Sequence, residues 1–434
     1  MNSINKFLFF NTEFKKFFSL ILYFLLIILI LYPSNILLTG ALQLLPVNNP
    51  FYKYLGSNDG MFAFPSALFL IFYLIYYFID KKLYFNENSK YLYLFVGFFI
   101  LFLIISFTLI KDSFIWLEPT AASQDYDYIK PSVDVRVLKN IFNVCLLIFF
   151  IITMSNLKFK NNFFLYKLYN FILCYICILN LFSLILYYNN QTYYFSPEGY
   201  MSSLLNAYIT HYMDYFPYVV YMSLALDIYF FNKDKFLIFI FLIVKIFWAT
   251  AVNIYSTELL GEVSNKGLFI SIIFFLICAS LFKLFKNVIT KNTIFMSIIL
   301  INLIYLIFII SPYSSLEPSL KDRAQIFFYF FQDINIFNIF FPLPLKYNFQ
   351  HNLHNDFWDL YFVFGFLVLI FYNFISKILY LIFRKNSYSF LVLFSIFCVG
   401  SLVQNNLLNI YTIINFSFII CLIQINNNLV DNSH

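Results

Sequence analysis

Long runs of apolar residues, separated by shorter polar connections, recur along the whole 434-residue chain. Hydrophobic residues make up 62% of the sequence and charged residues only 11%. A globular domain carries about a quarter charged residues, because its surface must be hydrated. Such a low charge content excludes a soluble enzyme and predicts a chain that folds in a bilayer.

Many of the apolar runs have the length that a membrane span requires. A hydrocarbon core of roughly 30 Å needs about 20 apolar residues per helix. Twelve runs come close to this length: 17–38, 61–79, 91–110, 137–155, 168–188, 214–231, 236–253, 268–285, 292–311, 359–382, 387–402 and 408–426. We therefore predict an all-α polytopic membrane protein with about 12 transmembrane helices, forming a single integral membrane domain over 1–434. The seventh run contains Lys245, and an ionisable residue inside a span is a functional candidate.

The distribution of charge predicts the orientation. Short connections rich in Lys and Arg stay in the cytoplasm. With the N-terminus inside, most of the 27 Lys and Arg residues fall in inner segments, and most of the 21 Asp and Glu residues fall outside. We therefore predict that both termini are cytoplasmic. The first span follows a lead without a small-residue cleavage site, so it is expected to be a retained anchor.

The larger connections lie on the predicted outer side, and the longest of them, 312–358, separates spans nine and ten. All three internal histidines, His211, His351 and His354, fall in these outer connections. The sequence has neither a GxGxxG motif nor a P-loop, and no His/Asp/Glu cluster at metal-ligand spacing. All six cysteines lie in predicted spans, so we expect no disulfide framework. Since no ligand cluster or nucleotide-binding motif is present in the sequence, we also expect no metal and no cofactor. Chemistry is therefore expected at the outer face, in the loop 312–358.

Within that loop, the segment Gln350–Asp359 runs directly into span ten. Asn352 or Asn355 can cap this helix, which places His354 at its N-terminus. The positive end of the helix dipole disfavours imidazolium. A neutral imidazole beside an anion-binding helix end is well suited to act as a general base near a phosphate. Asp356 and Asp359 are expected to cap the same helix.

The segment from Arg323 through His354 and Asn355 to Gly365 resembles the signature of the O-antigen polymerase and O-antigen ligase superfamily. Those proteins carry an Arg element, an amphipathic stretch and a His-Asn pair in a large periplasmic loop before a membrane helix. A second family element, Ser-Arg-Gly/Ala, resembles Ser264–Gly267, with one residue inserted and Lys266 in place of the usual Arg. The resemblance covers roughly 236–382, about a third of the chain.

The resemblance implies a metal-independent inverting glycosyltransferase that uses an undecaprenyl-diphosphate-linked donor. Arg323 and Lys266 would hold the diphosphate leaving group, and His354 would deprotonate the acceptor hydroxyl. His351 is an alternative base. Supporting or glycan-contacting roles are expected for a further set of residues: His351, Asn355, Asp356 and Arg136.

Three functions remain open. An O-antigen polymerase would join lipid-linked repeat units, and an O-antigen ligase would transfer the polymer to lipid A-core. A lipid-linked oligosaccharide flippase would need charges lining a cavity among the spans, where only Lys245 and Asp227 qualify. The resemblance implies a Gram-negative inner membrane and a lipid-linked oligosaccharide as partner, together with membrane lipid. A chain-length regulator is an open partner, and no nucleic acid is expected.

Overall fold

The computed structural model describes Phe17, Ile21 and residues 162–189, 216–260, 266–311, 323–324, 327–328, 331, 355–402 and 410–423. These residues form helices and turns, with no strand in the described ranges. Three helices here are long and apolar enough to cross a membrane: Leu268–Val288, Lys291–Ile310 and Leu367–Lys385. The described part is thus an all-α fold with helices of membrane-spanning length.

Nine α-helices can be named in chain order. They are α1 (Asn162–Asn189), α2 (Phe216–Phe230), α3 (Lys235–Leu260), α4 (Lys266–Phe285), α5 (Lys291–Ile310), α6 (Asp356–Phe364), α7 (Leu367–Lys385), α8 (Ser387–Cys398) and α9 (Ile410–Leu422). Short 3₁₀ turns occupy Lys286–Val288 and Gly400–Leu402. The helices coincide with predicted spans five to nine, eleven and twelve, whereas the earlier spans lie outside the described residues.

One compact unit contains α1, α2, α3 and α9. The turn between α2 and α3 ends at Asp234, whose carboxylate accepts a hydrogen bond from the backbone N–H of Leu237 at 3.1 Å and so caps α3. Tyr169 of α1 donates its hydroxyl to the side-chain oxygen of Asn415 on α9 at 2.9 Å. Since lipid gives no hydrophobic drive for helix association, packing and interhelical hydrogen bonds of this kind hold the unit together.

The second unit contains α4 to α8. A capping box between Thr290 and Thr293 begins α5. Asn386 ends α7 and caps α8, accepting hydrogen bonds from the backbone of Tyr388 and Ser389. The outward faces of α4 and α5 expose large apolar side chains: Phe269, Leu276, Leu284, Leu300 and Ile307. Such a surface is stable against lipid and not against water.

Predicted span ten, 359–382, differs from the observed structure. The chain breaks into α6 and α7 at Gly365, which has φ 56° and ψ −137°, a conformation that a Cβ atom disfavours. The rings of Phe357 and Tyr372 lie 5.2 Å apart, although residues fifteen positions apart in a straight helix would be separated by about 22 Å. The short α6 therefore folds back against α7 instead of continuing into it.

Candidate active site

Arg323 is buried, with 9% of its surface exposed, and lies against α5. One terminal nitrogen of its guanidinium group donates a hydrogen bond to the hydroxyl of Tyr305 at 3.1 Å. A guanidinium group carries five N–H donors in a planar fork, so a bond to one of them restrains the direction of the others. Arg323 is thus oriented by the helix bundle and is not an exposed anchor on the surface.

The start of α6 is the second element of the site. Asn355 is fully buried, and its side-chain oxygen accepts a hydrogen bond from the backbone N–H of Trp358 at 3.0 Å. This confirms Asn355 as one of the two predicted helix caps. The backbone N–H of Asn355 donates to the carboxylate of Asp359 at 3.3 Å. Asn355 is therefore held by hydrogen bonds to both its side chain and its backbone.

Both elements converge on α5. The side-chain amide of Asn355 donates to the side-chain oxygen of Asn302 at 3.3 Å, and the indole of Trp358 donates to the backbone carbonyl of Asn302 at 3.2 Å. Arg323 contacts Tyr305, three residues further along α5. Residues at this spacing share one face of a helix. The fold thus brings the Arg323 segment and the helix that follows His354 to adjacent turns of one helix.

A ring contact joins the same two elements directly. Phe327, four residues after Arg323, is fully buried and packs edge-to-face against Trp358 with 5.3 Å between ring centroids. Aromatic pairs in this geometry contribute roughly 0.5–1.5 kcal/mol beyond the area that they bury. The Arg323 segment is therefore attached to α6 as well as to α5.

The candidate site lies part-way along α5, within the unit formed by α4 to α8. Asn302 is eight residues before the end of α5 at Ile310, which corresponds to about 12 Å along the helix axis. The N-terminus of α6 meets α5 at this level. A helix end inside an apolar bundle leaves backbone N–H groups that require partners. The partial positive charge of these groups, together with Arg323, favours an anion.

Acidic residues lie beside this positive end. Asp356 is fully buried and Asp359 is half-buried, and both are in the first turn of α6, where carboxylates interact favourably with the helix dipole. The sequence predicts that they cap this helix, but the N-cap is Asn355 and both carboxylates follow it. An anionic ligand would therefore meet the guanidinium group of Arg323 on one side and a helix end partly balanced by carboxylates on the other.

Lys266 is the first residue of α4, and its side chain lies outside the described residues. Its helix runs antiparallel to α8, because Phe274 contacts Phe394 and Phe282 contacts Tyr388. This alignment places the beginning of α4 beside the 3₁₀ turn Gly400–Leu402. That turn also contacts α6. The backbone of the Lys266 region and α6 thus border a common turn.

Several predicted site residues fall outside the described part of the chain. They are His354, His351 and Arg136, together with most of the loop 312–358. Their roles stay predictions.

A second polar cluster lies in the unit formed by α1, α2, α3 and α9. The ammonium group of Lys245 pairs with the carboxylate of Asp227 at 2.5 Å, and both side chains are at least 98% buried. Lys245 also donates to the side-chain oxygen of Asn170, and Tyr166 donates its hydroxyl to Asp227 at 2.9 Å. The sequence predicts Lys245 as an intramembrane charge. It does not identify Tyr166 or Asn170 as partners, because both lie in α1, more than 60 residues before Asp227 or Lys245.

The chain was compared with protein-family models, curated proteins and solved structures, and no match was found in any of the three.

Proposed function

We propose that this protein is an O-antigen polymerase of the bacterial inner membrane. It would transfer the glycan carried by undecaprenyl diphosphate onto a hydroxyl of a lipid-linked repeat unit at the periplasmic face. The observation that supports this most directly is the attachment of Arg323 and of the helix following His354 to adjacent turns of α5. These contacts support the assignment of the two halves of the motif, about thirty residues apart in sequence, to one site.

The proposed reaction is an inverting displacement. His354 removes the proton from the acceptor hydroxyl, and the oxygen attacks the anomeric carbon of the donor glycan. The bond from that carbon to the diphosphate oxygen breaks, and its electron pair leaves with the lipid diphosphate. Arg323 can bind two phosphate oxygens at once, and Lys266 adds a second positive charge. Charge stabilisation by these residues and by the N-terminus of α6 is strongest in the transition state, where negative charge develops.

The arrangement of charge favours a transferase over a flippase. Lys245 and Asp227, the two charges that could line a transport cavity, are bonded to each other and to Asn170 and Tyr166 inside one helical unit. A buried pair that satisfies itself is a poor binding site for a polar headgroup. Arg323 and the start of α6, by contrast, form a site suited to an anion.

Deletion of the gene, followed by gel analysis of surface glycan, tests the proposal. The expected phenotype is a single repeat unit on lipid A-core, restored to polymer by the wild-type chain but not by His354→Ala. His351→Ala is tested in parallel, because His351 is the alternative base, and it should reduce the amount of polymer less than His354→Ala does. Polymer that accumulates on undecaprenyl diphosphate would identify a ligase instead. Lipid-linked single units trapped inside the cell would identify a flippase.

If His354→Ala restores polymer of normal length and amount at normal protein level, the assignment of the base is wrong. If His351→Ala abolishes polymer while His354→Ala does not, the earlier histidine is the base.

A further inference from the structure

Two buried polar side chains, Asn302 and Tyr305, lie one helical turn apart on α5, and we call them the α5 pair. The span that contains them is otherwise strongly apolar, with Leu300, Ile304 and Ile307 facing outward. Asn302 is fully buried, and Tyr305 is 8% exposed. A polar side chain in a membrane helix is costly unless it is bonded, so the partners of this pair are informative.

Each member of the α5 pair binds a different part of the candidate site. Tyr305 accepts the hydrogen bond from Arg323. Asn302 accepts from the side chain of Asn355, and its backbone carbonyl accepts from the indole of Trp358. Ordinary interhelical hydrogen bonds in membranes are individually weak, and they need not involve functional residues. Here Tyr305 binds Arg323 and Asn302 binds the start of α6, the two elements on which the proposed chemistry depends.

We infer that the α5 pair positions the site: Tyr305 and Asn302 set the distance and orientation between the guanidinium group of Arg323 and the N-terminus of α6. This inference rests on the proposed function. The rise between the two residues is about 4.5 Å along a rigid helix, so both contacts are fixed relative to each other. Tyr305 binds one N–H group of Arg323 and thereby directs the rest of the fork towards the leaving diphosphate. Neither residue touches the reacting atoms.

Replacement of Tyr305 by Phe tests the inference, because it removes only the accepting hydroxyl. The full-length chain is reconstituted in liposomes and supplied with a repeat unit linked to a polyprenyl diphosphate. A displaced Arg323 would affect the transition state more than donor binding. We expect kcat to fall roughly 10- to 100-fold, with KM changed by about threefold or less. A role in helix packing alone would lower protein stability and yield without this separation of kcat from KM.

Tyr372→Phe provides the matched control. Tyr372 lies in the same unit and is fully buried, and its hydroxyl has no hydrogen-bond partner among the described residues. Loss of that hydroxyl should leave kcat within about twofold of the wild-type value, since no bonded group is orphaned. Asn302→Leu provides a second perturbation of similar volume, which should lower kcat by releasing Asn355.

A double-mutant cycle identifies the residue through which Tyr305 acts. Arg323→Ala alone should abolish most of the activity, and Tyr305→Phe should cause no further loss in that background, because coupled residues are not additive. Additive losses would overturn the inference, as would full activity of both Tyr305→Phe and Asn302→Leu. If Arg323→Ala is itself fully active, the proposed role of Arg323 in diphosphate binding fails. An inactive Arg323→Ala with a fully active Tyr305→Phe refutes the positioning role alone.

Discussion

The buried pair Lys245–Asp227 is expected to be the most sensitive site in its unit to loss of one partner. Lys245 is ten residues into α3, about 15 Å from the start of the helix and close to half of a bilayer core. The change Lys245→Met keeps an unbranched side chain as far as the ε position and removes the charged ammonium group. It leaves the carboxylate of Asp227 buried, with the hydroxyl of Tyr166 as its remaining hydrogen-bond donor among the described contacts.

The size of the effect follows from burial and distance. Two unit charges 2.5 Å apart attract by about 7 kcal/mol at an effective dielectric constant of about 20. Desolvation of both ions offsets most of this attraction, at several kcal/mol per ion. Removal of one partner leaves the desolvation cost of the other without compensation. We therefore expect Lys245→Met to lower the free energy of unfolding by about 3–5 kcal/mol.

The unit contains its own control, the pair Lys167–Asp234. Its charged atoms are 3.7 Å apart, and the side chains are 42% and 35% exposed. Lys167 also lies over the ring of Phe163 at 4.7 Å. Exposed pairs contribute about 1 kcal/mol or less, since water and salt screen them. Lys167→Met should therefore be nearly neutral, although it removes the same chemical group.

Reversible unfolding of the full chain in mixed detergent micelles would measure both variants. The double change Lys245→Met with Asp227→Asn should recover most of the lost stability, because it leaves no buried charge and retains an acceptor for Tyr166. If Lys245→Met costs no more than Lys167→Met, the burial argument is refuted. If the double variant is as unstable as Lys245→Met, the unpaired carboxylate is not the cause of the loss.

Two further predictions concern the backbone and the topology. Gly365→Ala should lower the free energy of unfolding by about 1–3 kcal/mol, because Gly365 is buried at φ 56°. Gly400→Ala, in a 3₁₀ turn, is the control and should lower it by less. Equal losses for the two variants would contradict the backbone argument. Asn348→Cys in the loop 312–358 should react with an impermeant maleimide from the periplasm, and Asn287→Cys in the exposed turn Lys286–Val288 only after the inner membrane is permeabilised. The reverse labelling pattern would overturn the predicted orientation.

The sequence predicts the described helices well, because a membrane helix requires a long apolar run and little else. Asn355 was also predictable, since a cap depends on the residue type at a helix start. The break at Gly365 was not, because a glycine in an apolar run has the same pattern whether or not the chain turns there. A positive φ is a property of the fold, and the residue type only permits it.

The partners of the site residues were less predictable for a different reason. Tyr305 and Asn302 lie inside a run that counts as apolar, and their roles depend on contacts with residues 18 and 53 positions away. One signal was present: Asn302 is an amide in the interior of a predicted span, and such a residue must find a partner. The same rule applies to Lys245, whose partner Asp227 lies on the preceding helix.

The two polar clusters differ in a way that bears on function. In the Lys245–Asp227 cluster a cation and an anion neutralise each other inside one helical unit, so no net charge is available to a ligand. At the α5 pair, Arg323 is held by a neutral hydroxyl, which orients the guanidinium group and leaves its charge uncompensated by that contact. A buried cation is costly unless it is paired with an anion. Among the described contacts Arg323 has no anionic partner, and the proposed function would supply one in the form of a lipid diphosphate.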